Sequence, residues 1–374
     1  MLLIPLLLLL AAPLVPLPAQ PADVPWPTQR WPTDPLSSSV DAGALAKLLD
    51  VVDRIDDLLG ETRAVVVVHR GSLVAERYRS GFGPGMRLIS WSMAKSITHA
   101  LVGVAARQGK LDPDRPMGNS RWPPNDPRSA ISWRQWLQMV DGQQYREILA
   151  PSPAENDAAK MLFGEGRLDA ANYAAHLTLI HRPGKHWNYN SAGFILLSDA
   201  LARAIAPQAA TSDARRSAVR GFMQHELFER IGMTSAQPEF DASGTFLGSA
   251  LVYATAQDFA RFGLLYLRDG VWEGSRILPE GWVDFARTPA VGSDANIYGA
   301  GFWVAPADGK PRPSYGSAIH APRDTFQAQG FEGQLTVIVP SKDLVLVRLG
   351  HMREFGWRAL SRWVADVVAL FPDA

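Results

Sequence analysis

The sequence predicts an α+β fold in which an antiparallel sheet, built from both ends of the chain, is flanked by helices and carries an inserted, mainly helical region. Two runs rich in β-branched residues, RAVVVVHRGSLVAERYR near the start and QLTVIVPSKDLVLVRLG near the end, each break at a turn and predict hairpins. A lone hairpin is only marginally stable in water, so the economical arrangement joins both hairpins in one sheet. Between them, residues 112–250 contain no comparable β-rich runs and predict the helical insertion.

Amphipathic segments lie before the first hairpin and after the second. In residues 42–59 the apolar side chains recur at helical spacing and predict one helix, with a face made of Leu45, Leu48, Leu49, Val52, Ile55 and Leu58. The first hairpin is predicted to turn at Arg70 and Gly71, and the second at residues 340–343. A last amphipathic helix has a face made of Trp357, Leu360, Trp363, Val364 and Val367. The two terminal helices are therefore expected to cover the sheet.

The composition excludes several kinds of site. The 374 residues include 37 Lys plus Arg and 37 Asp plus Glu, so no net charge attracts nucleic acid or an anionic membrane. Cysteine is absent, which excludes disulfides, thiolate metal sites and a cysteine nucleophile. The eight histidines show no pair of metal ligands at helical spacing, so no metal site is predicted.

The N-terminal segment is uncharged and apolar. Residues 1–19 end in small side chains and are typical of a secretory signal peptide cleaved near Ala19, so we expect export to the periplasm or the medium. Retention as a membrane anchor is the alternative, and four prolines in the segment argue against a spanning helix. Residues 20–40 are Pro-rich and predict an irregular leader to one domain over residues 41–374.

The stretch LISWSMAKSITHALVGVAARQGK contains a serine and a lysine three residues apart, Ser92 and Lys95, at the start of a helix predicted over residues 92–108. Residues three apart share a helix face, so the lysine can reach the serine hydroxyl. Backbone N–H groups at a helix start can hold an oxyanion, and burial would lower the pKa of the lysine and make it a proton acceptor. The alternative is that Ser92 only caps the helix.

Further motifs follow this pair in order, and together they resemble the serine β-lactamase and penicillin-recognising superfamily. The likeness is greatest to its class C-like branch, which includes esterases, D-amino-acid peptidases and 6-aminohexanoate-dimer hydrolases. It extends from about residue 60 to 350 and rests on SMAKSITHALVGVAARQGKLDPDRP, WLQMVDGQQY, RPGKHWNYNSAGFILLSDAL, LFERIGMTSA, ATAQDFARFGLLYLRDGVWEGSRILP and FQAQGFEGQLTVIVPSKDLVLV. The resemblance implies a β-lactamase/transpeptidase-like fold and a serine nucleophile that needs no metal or organic cofactor.

The second motif of that superfamily is a tyrosine, any residue, and then Asn or Ser. Here it corresponds to Tyr189, Asn190 and Ser191. The resemblance implies that Tyr189 relays a proton between Ser92 and the leaving group, and a neighbouring ammonium group would favour its phenolate form. Ser191 is expected to contact the substrate. It replaces the Asn of β-lactamases and so argues against a strong β-lactamase.

The third motif is usually Lys-Thr-Gly or His-x-Gly on a strand beside the cleft, and it corresponds to Ala328, Gln329 and Gly330. These residues are expected to border the substrate, and Gly330 would let the substrate approach the backbone closely. The resemblance also implies that the N–H groups of Ser92 and Phe331 form an oxyanion hole. Because the cationic side chain of the motif is missing, neutral esters or amides are favoured over penicillins and D-Ala-D-Ala peptides.

The predicted function is that of a serine hydrolase acting on a small-molecule ester or amide. Trp91, Trp187 and Tyr145 are candidates for an apolar acyl pocket, although aromatic side chains are equally common in cores. A β-lactamase or D,D-peptidase is one alternative, and a binding or sensor protein on the same fold is another. Retention of all three candidate catalytic side chains argues against a binding protein, which has no chemical need for them.

Overall fold

The computed structural model describes the chain from residue 14 to residue 374, with the exception of residues 149, 294–296, 306–320 and 354. Residues 1–13 of the expected signal peptide lie outside the described residues, so this expectation stays a prediction. None of the described helices is both long enough and apolar enough to cross a membrane.

The strands form one six-stranded sheet and two small ones. In chain order they are β1 (Glu61–His69), β2 (Ser72–Tyr78), β3 (Leu88–Ile89), β4 (Gln237–Pro238), β5 (Val252–Ala254), β6 (Val271–Trp272), β7 (Ser275–Arg276), β8 (Trp303–Val304), β9 (Phe326–Gly330), β10 (Gln334–Val339) and β11 (Leu344–His351). The large sheet has the order β2-β1-β11-β10-β9-β8, and all its neighbouring strands are antiparallel. The pairing of β1 with β11 joins the two predicted hairpins, which confirms a sheet built from both chain ends.

Both hairpin turns form where they were predicted. Arg70 and Gly71 have φ angles of 50° and 82°, the left-handed pair that matches the twist of a two-residue hairpin. The second turn is a short 3₁₀ helix, Pro340–Lys342, followed by Asp343 at φ 45°. Turn chemistry and β-rich runs therefore predicted both hairpins, and the two turns also meet, because the backbone N–H of Arg70 donates to the carbonyl of Asp343 over 2.9 Å.

Helices cover both faces of the large sheet, and the central part of the chain consists of helices and loops with one two-residue strand among its described residues. They are α1 (Ala42–Leu49), α2 (Ala94–Arg107), α3 (Trp133–Leu137), α4 (Asp157–Phe163), α5 (Ala170–Ala175), α6 (Ser191–Ile205), α7 (Ser212–Met223), α8 (Ala256–Leu267), α9 (Trp282–Arg287) and α10 (Trp357–Ala369). α1 and α10 pack with Val65 and Val67 of β1, whereas Val66 and Val68 face the core that includes α8. Strand β1 is thus apolar on both faces because it is buried on both.

The first helix is shorter than predicted. α1 ends at Leu49 and is followed by the 3₁₀ turn Asp50–Asp53, while Ile55 and Leu58 are 60% and 49% exposed. The Asp56 carboxylate accepts the backbone N–H groups of Leu58 and Leu59, each over 2.9 Å. Such local side-chain bonds compete with helix formation, so the helical face does not continue to residue 58.

The leader contains no helix and no extended strand, yet it is packed against the domain. Trp31 is buried, and Trp26 lies with its ring centroid 4.9 Å from that of Trp272. Arg261 Nε of α8 donates to the carbonyl of Pro27 over 2.8 Å. Within the predicted signal peptide, the carbonyl of Val15 accepts from Arg287 of α9 over 2.7 Å. The leader is therefore held by α8 and by Trp272.

Two long helices of the central part of the chain position the site. α2 and α6 are buried over most of their length and pack against each other. The predicted serine–lysine pair lies at the start of α2, and the predicted Tyr-Asn-Ser motif leads into α6. The packing of these helices brings the two motifs together.

Candidate active site

Ser92 and Lys95 meet as predicted. Ser92 lies in the 3₁₀ turn Trp91–Met93, which leads directly into α2, and Lys95 Nζ donates to Ser92 Oγ over 2.9 Å. The capping position of α2 is occupied by Met93, and no side chain caps the helix. The Ser92 side chain therefore does not cap α2.

Lys95 is buried and surrounded by oxygen atoms. Besides Ser92 Oγ, its ammonium group donates to Ser191 Oγ and to the carbonyl of Ser249, each over 2.8 Å. Burial lowers the pKa of Lys95 to about 8, and the nearby charge of Glu147 limits this fall. A large fraction of the lysine is therefore neutral near pH 8, which is the form that can accept a proton.

Glu147 was not predicted as a site residue. It determines that Ser191 accepts, and does not donate, in its hydrogen bond with Lys95. Ser191 Oγ donates to Glu147 Oε1 over 2.9 Å, and the backbone N–H of Ser191 donates to Oε2 over 3.2 Å. A hydroxyl has one proton, so Ser191 can only accept from Lys95. When Lys95 is neutral, its two N–H bonds still donate to Ser191 Oγ and to the carbonyl of Ser249. Its lone pair then faces Ser92 Oγ.

Tyr189 lies against the same lysine. Lys95 Nζ is 4.8 Å from the centroid of the Tyr189 ring, which stacks on Trp303 with 5.4 Å between centroids. Burial raises the pKa of the Tyr189 hydroxyl well above its ordinary value, and a hydrogen bond with the Ser92 side chain opposes this only in part. The expected phenolate is thus not favoured, because desolvation and the nearby charge of Glu147 both raise the pKa of the Tyr189 hydroxyl. Tyr189 is a neutral hydroxyl that can both accept and donate a proton.

The loop that follows α3 holds the Tyr-Asn-Ser motif in place. Asn190 caps α6 with its side-chain oxygen and donates from Nδ2 to Asp141 Oδ1 over 2.9 Å. Burial raises the pKa of Asp141 to about 6. Asn188 Nδ2 donates to the carbonyl of Tyr145 over 2.9 Å, and the Tyr145 side chain is buried in the main core. Tyr145 therefore contributes to the site through the loop it anchors, with little of its ring exposed.

Strand β9 carries the third motif, as predicted. A Cβ atom on Gly330 would lie 2.2 Å from the carbonyl oxygen of Ser90, so contact with the chain before the nucleophile already requires a glycine here. Ala328 is buried in the core, and Gln329 accepts from Gln327 Nε2 over 3.0 Å. These three residues present no charge to the site.

The turn that follows β9 is anchored from the sheet. Arg348 of β11 is buried and donates to the carbonyls of Glu332 and Gly333 over 3.0 Å each, and to that of Leu59 over 2.8 Å. Burial lowers the pKa of Arg348 to about 9. Because the guanidinium is bonded to several carbonyls, it fixes the turn that begins at Phe331.

Aromatic side chains surround these groups. Trp187 is half-buried and packs on Tyr298 and Trp303, with 5.7 and 6.3 Å between centroids. Trp91 contacts Phe331 edge to face at 5.8 Å, and Phe163, which was not predicted, at 6.3 Å. No group of His, Asp or Glu side chains able to hold a metal ion occurs in the described part of the chain.

Comparisons with known proteins match this family and fold. A model of the Beta-lactamase family matches residues 52–369. The 6-aminohexanoate-dimer hydrolase of Paenarthrobacter ureafaciens is 27% identical over 333 residues, which span 86% of this chain and 80% of the relative. Among solved structures, a candidate 6-aminohexanoate-dimer hydrolase from Bacillus anthracis has a TM-score of 0.69 at 22% identity, with 96% of this chain and 91% of that chain covered. EstCE1, a hydrolase with promiscuous acyltransferase activity, has a TM-score of 0.62 at 17% identity, with 88% and 98% covered. The two structural likenesses show a shared fold.

Proposed function

Because the chain belongs to the β-lactamase family of serine hydrolases, we propose that Ser92 is its nucleophile and opens an ester or amide bond through an acyl-enzyme. The observation that carries this proposal is the 2.9 Å hydrogen bond between Lys95 Nζ and Ser92 Oγ, in surroundings that lower the pKa of Lys95 to about 8. The matched residues, 52–369, include every residue of the site.

In the acylation step, neutral Lys95 accepts the proton of Ser92 while Oγ forms a bond to the carbonyl carbon. The electron pair of the carbonyl moves to its oxygen, and the backbone N–H groups of Ser92 and Phe331 stabilise the resulting oxyanion. The C–O or C–N bond then breaks as the Tyr189 hydroxyl protonates the leaving alcohol or amine. The protonated Lys95 then gives its proton to the Tyr189 oxygen, which restores both groups, so no proton is lost or gained.

Deacylation runs through the same groups in reverse. Neutral Lys95 accepts a proton from water, with the Tyr189 hydroxyl as the relay, while the water oxygen bonds to the acyl carbon. Collapse of the second tetrahedral intermediate breaks the bond to Ser92 Oγ, and Lys95 returns the proton to that oxygen. The products are a carboxylic acid and the free serine.

The charges at the site support neutral esters or amides as substrates. Position 328 is alanine, so the third motif has no cation with which to bind a substrate carboxylate. The carboxylate of Glu147 lies next to Ser191 and would repel an anion placed there. This favours esters and amides over penicillins, and the relatives include a 6-aminohexanoate-dimer hydrolase and EstCE1, a hydrolase with promiscuous acyltransferase activity.

Intact-mass analysis tests the proposal. The native protein and Ser92→Ala are incubated with a p-nitrophenyl ester and, separately, with a penicillin. We expect nitrophenol release and a transient acyl adduct from the native protein alone. A lasting penicillin adduct without ester turnover would instead support a penicillin-binding or sensor protein. Equal ester hydrolysis by both proteins would overturn the role of Ser92.

A further inference from the structure

Three aromatic rings meet beside the nucleophile and form an aromatic rim made of Trp91, Phe163 and Phe331. Trp91 lies between the two phenylalanines and contacts both edge to face, with 6.3 Å between centroids to Phe163 and 5.8 Å to Phe331. The side chains of Phe163 and Phe331 are 57% and 64% exposed. Single exposed apolar side chains are ordinary, but rings from three separate elements that contact one another form an apolar patch.

The position of the rim links it to the reaction. Trp91 precedes Ser92 directly, and Phe331 carries the second N–H of the proposed oxyanion hole. The two residues that adjoin the scissile carbonyl thus also carry two of the three rings. Trp91 has φ 42°, a conformation that bulky residues rarely adopt and that is concentrated at functional sites.

Two of the charged residues near the rim are paired. Lys160, on the same helix as Phe163, pairs with Asp157 over 3.3 Å. Glu332, next to Phe331, pairs with His351 over 2.9 Å. The exposed surface of the rim itself consists of uncharged ring atoms, so it suits an apolar group.

We infer that the aromatic rim is a binding subsite for an apolar part of the substrate, a straight alkyl chain or aryl group attached near the scissile carbonyl. This inference rests on the proposed function and deepens it by naming the substrate class: apolar esters or amides rather than short polar ones. The substrate's apolar group covers the exposed faces of Phe163 and Phe331 while its carbonyl lies against Ser92.

A binding experiment tests the subsite without relying on turnover. Ser92→Ala is titrated calorimetrically with uncharged N-methyl amides of straight-chain acids, from acetyl to octanoyl. Complete transfer of a methylene out of water strengthens binding about fourfold, so a partly open subsite gives about two- to threefold per methylene. Adding Phe163→Ala should at least halve the slope of the logarithm of affinity against the number of methylenes. Because Phe163 is more than half exposed, the substitution leaves the core intact.

The matched control is Ser92→Ala with Phe355→Ala, which removes the same ring from a side chain that is 84% exposed and has no ring contact with Trp91 among the described residues. It should keep the full slope. Equal slopes in all three proteins, or affinity independent of chain length, would overturn the subsite. So would a Phe163→Ala protein that changes from dimer to monomer with an unchanged slope, because the rim would then join two copies.

A kinetic series in the Ser92-containing protein separates this inference from the proposed function. With p-nitrophenyl esters from acetate to octanoate, kcat/KM should rise with chain length, and the loss caused by Phe163→Ala should grow with chain length. Absence of Ser92-dependent hydrolysis would defeat the proposed function while the calorimetric slopes still decide the subsite. Hydrolysis without any dependence on chain length would defeat the subsite alone.

Discussion

The Ser191 hydroxyl donates its only proton to Glu147 Oε1 over 2.9 Å, across 44 residues of sequence. Ser191 therefore presents lone pairs, and no proton, to Lys95. The carbonyl of Ser249 is a second acceptor that cannot reverse its role. Both N–H bonds of a neutral Lys95 therefore donate to these two acceptors, and its lone pair points to Ser92.

Replacing Glu147 with Gln tests this arrangement. An amide can accept through its oxygen or donate through its nitrogen, so the direction of the Ser191 proton is no longer fixed. We expect kcat to fall about tenfold, with a smaller change in KM, because the base is misaligned. Since the Glu147 charge raises the pKa of Lys95, its removal should also shift the acid limb of the pH profile to lower pH.

The control for that experiment is Glu155→Gln, a side chain on the neighbouring loop that is 51% exposed and pairs with Arg146. It should leave both kcat and the pH profile unchanged. A Glu147→Gln protein whose acid limb stays in place would contradict the assigned electrostatic contact. Full activity in that protein would contradict the positioning role.

The pH dependence of the native protein follows from Lys95. Below its pKa of about 8 the amine is protonated and cannot accept the proton of Ser92, whereas above that value it can. We therefore expect log kcat/KM to rise with a slope of about one below pH 8 and to level off above it. Ester hydrolysis is followed where both forms of nitrophenol absorb equally.

Two lysine variants check this assignment. Lys95→Ala should lose the activity and, with it, the rise of log kcat/KM below pH 8. Lys110→Ala, at an exposed position, should retain both the activity and this rise. A Ser92-dependent activity that is flat from about pH 6 to 9 would show that another group is the base.

Gly330→Ala should disrupt the contact between β9 and the nucleophile turn. The added methyl would lie 2.2 Å from the carbonyl oxygen of Ser90, and neither strand end can retreat without losing backbone bonds. We expect destabilisation of about 2–3 kcal/mol and a large loss of kcat. Gly221→Ala in α7 is the matched control, because nothing lies within 4 Å of its added methyl.

The control should stabilise the protein by about 0.5–1 kcal/mol, since alanine favours a helix interior over glycine. Chemical denaturation of both variants measures the free energies of unfolding. Equal stability of Gly330→Ala and the native protein would mean that β9 does not press on Ser90.

Arg348→Met should destabilise the protein by about 3 kcal/mol or more. The substitution leaves the carbonyls of Leu59, Glu332 and Gly333 without their donor in the interior. Arg348→Lys should recover only part of the loss, because one nitrogen cannot reach carbonyls on several elements. Arg358→Met, at an exposed position of α10, should change the free energy of unfolding by less than about 0.5 kcal/mol.

Strong local patterns in the sequence predicted much of the fold. The valines of β1, the Arg70–Gly71 turn and the last amphipathic helix are all found as expected. The first helix was predicted too long because its apolar spacing continues past Leu49, whereas the side-chain bonds of Asp56 end the regular structure. The spacing of apolar residues gives little indication that a single side chain, such as that of Asp56, will compete for backbone hydrogen bonds.

The features of the site also divide into those that the sequence indicated and those that only the fold reveals. Ser92 and Lys95 are three residues apart, and Tyr189 belongs to a recognisable motif, so the sequence indicated all three. Glu147 lies in a loop with no spacing that connects it to α6, so only the fold reveals it. The neutral state of Tyr189 and the reason for Gly330 both depend on burial and on distant backbone, which local sequence does not show.

The order of strands in the large sheet has a consequence for biosynthesis. β11 is the last strand to be made, yet it lies in the centre of the sheet, and Arg348 on it donates to Thr62, 286 residues earlier. While the polypeptide is still growing on the ribosome, the β1–β2 hairpin has an apolar edge with no strand to pair with it. The sheet therefore closes only after β11 has been translated, and chains that terminate before Leu344 lose its middle rather than its border.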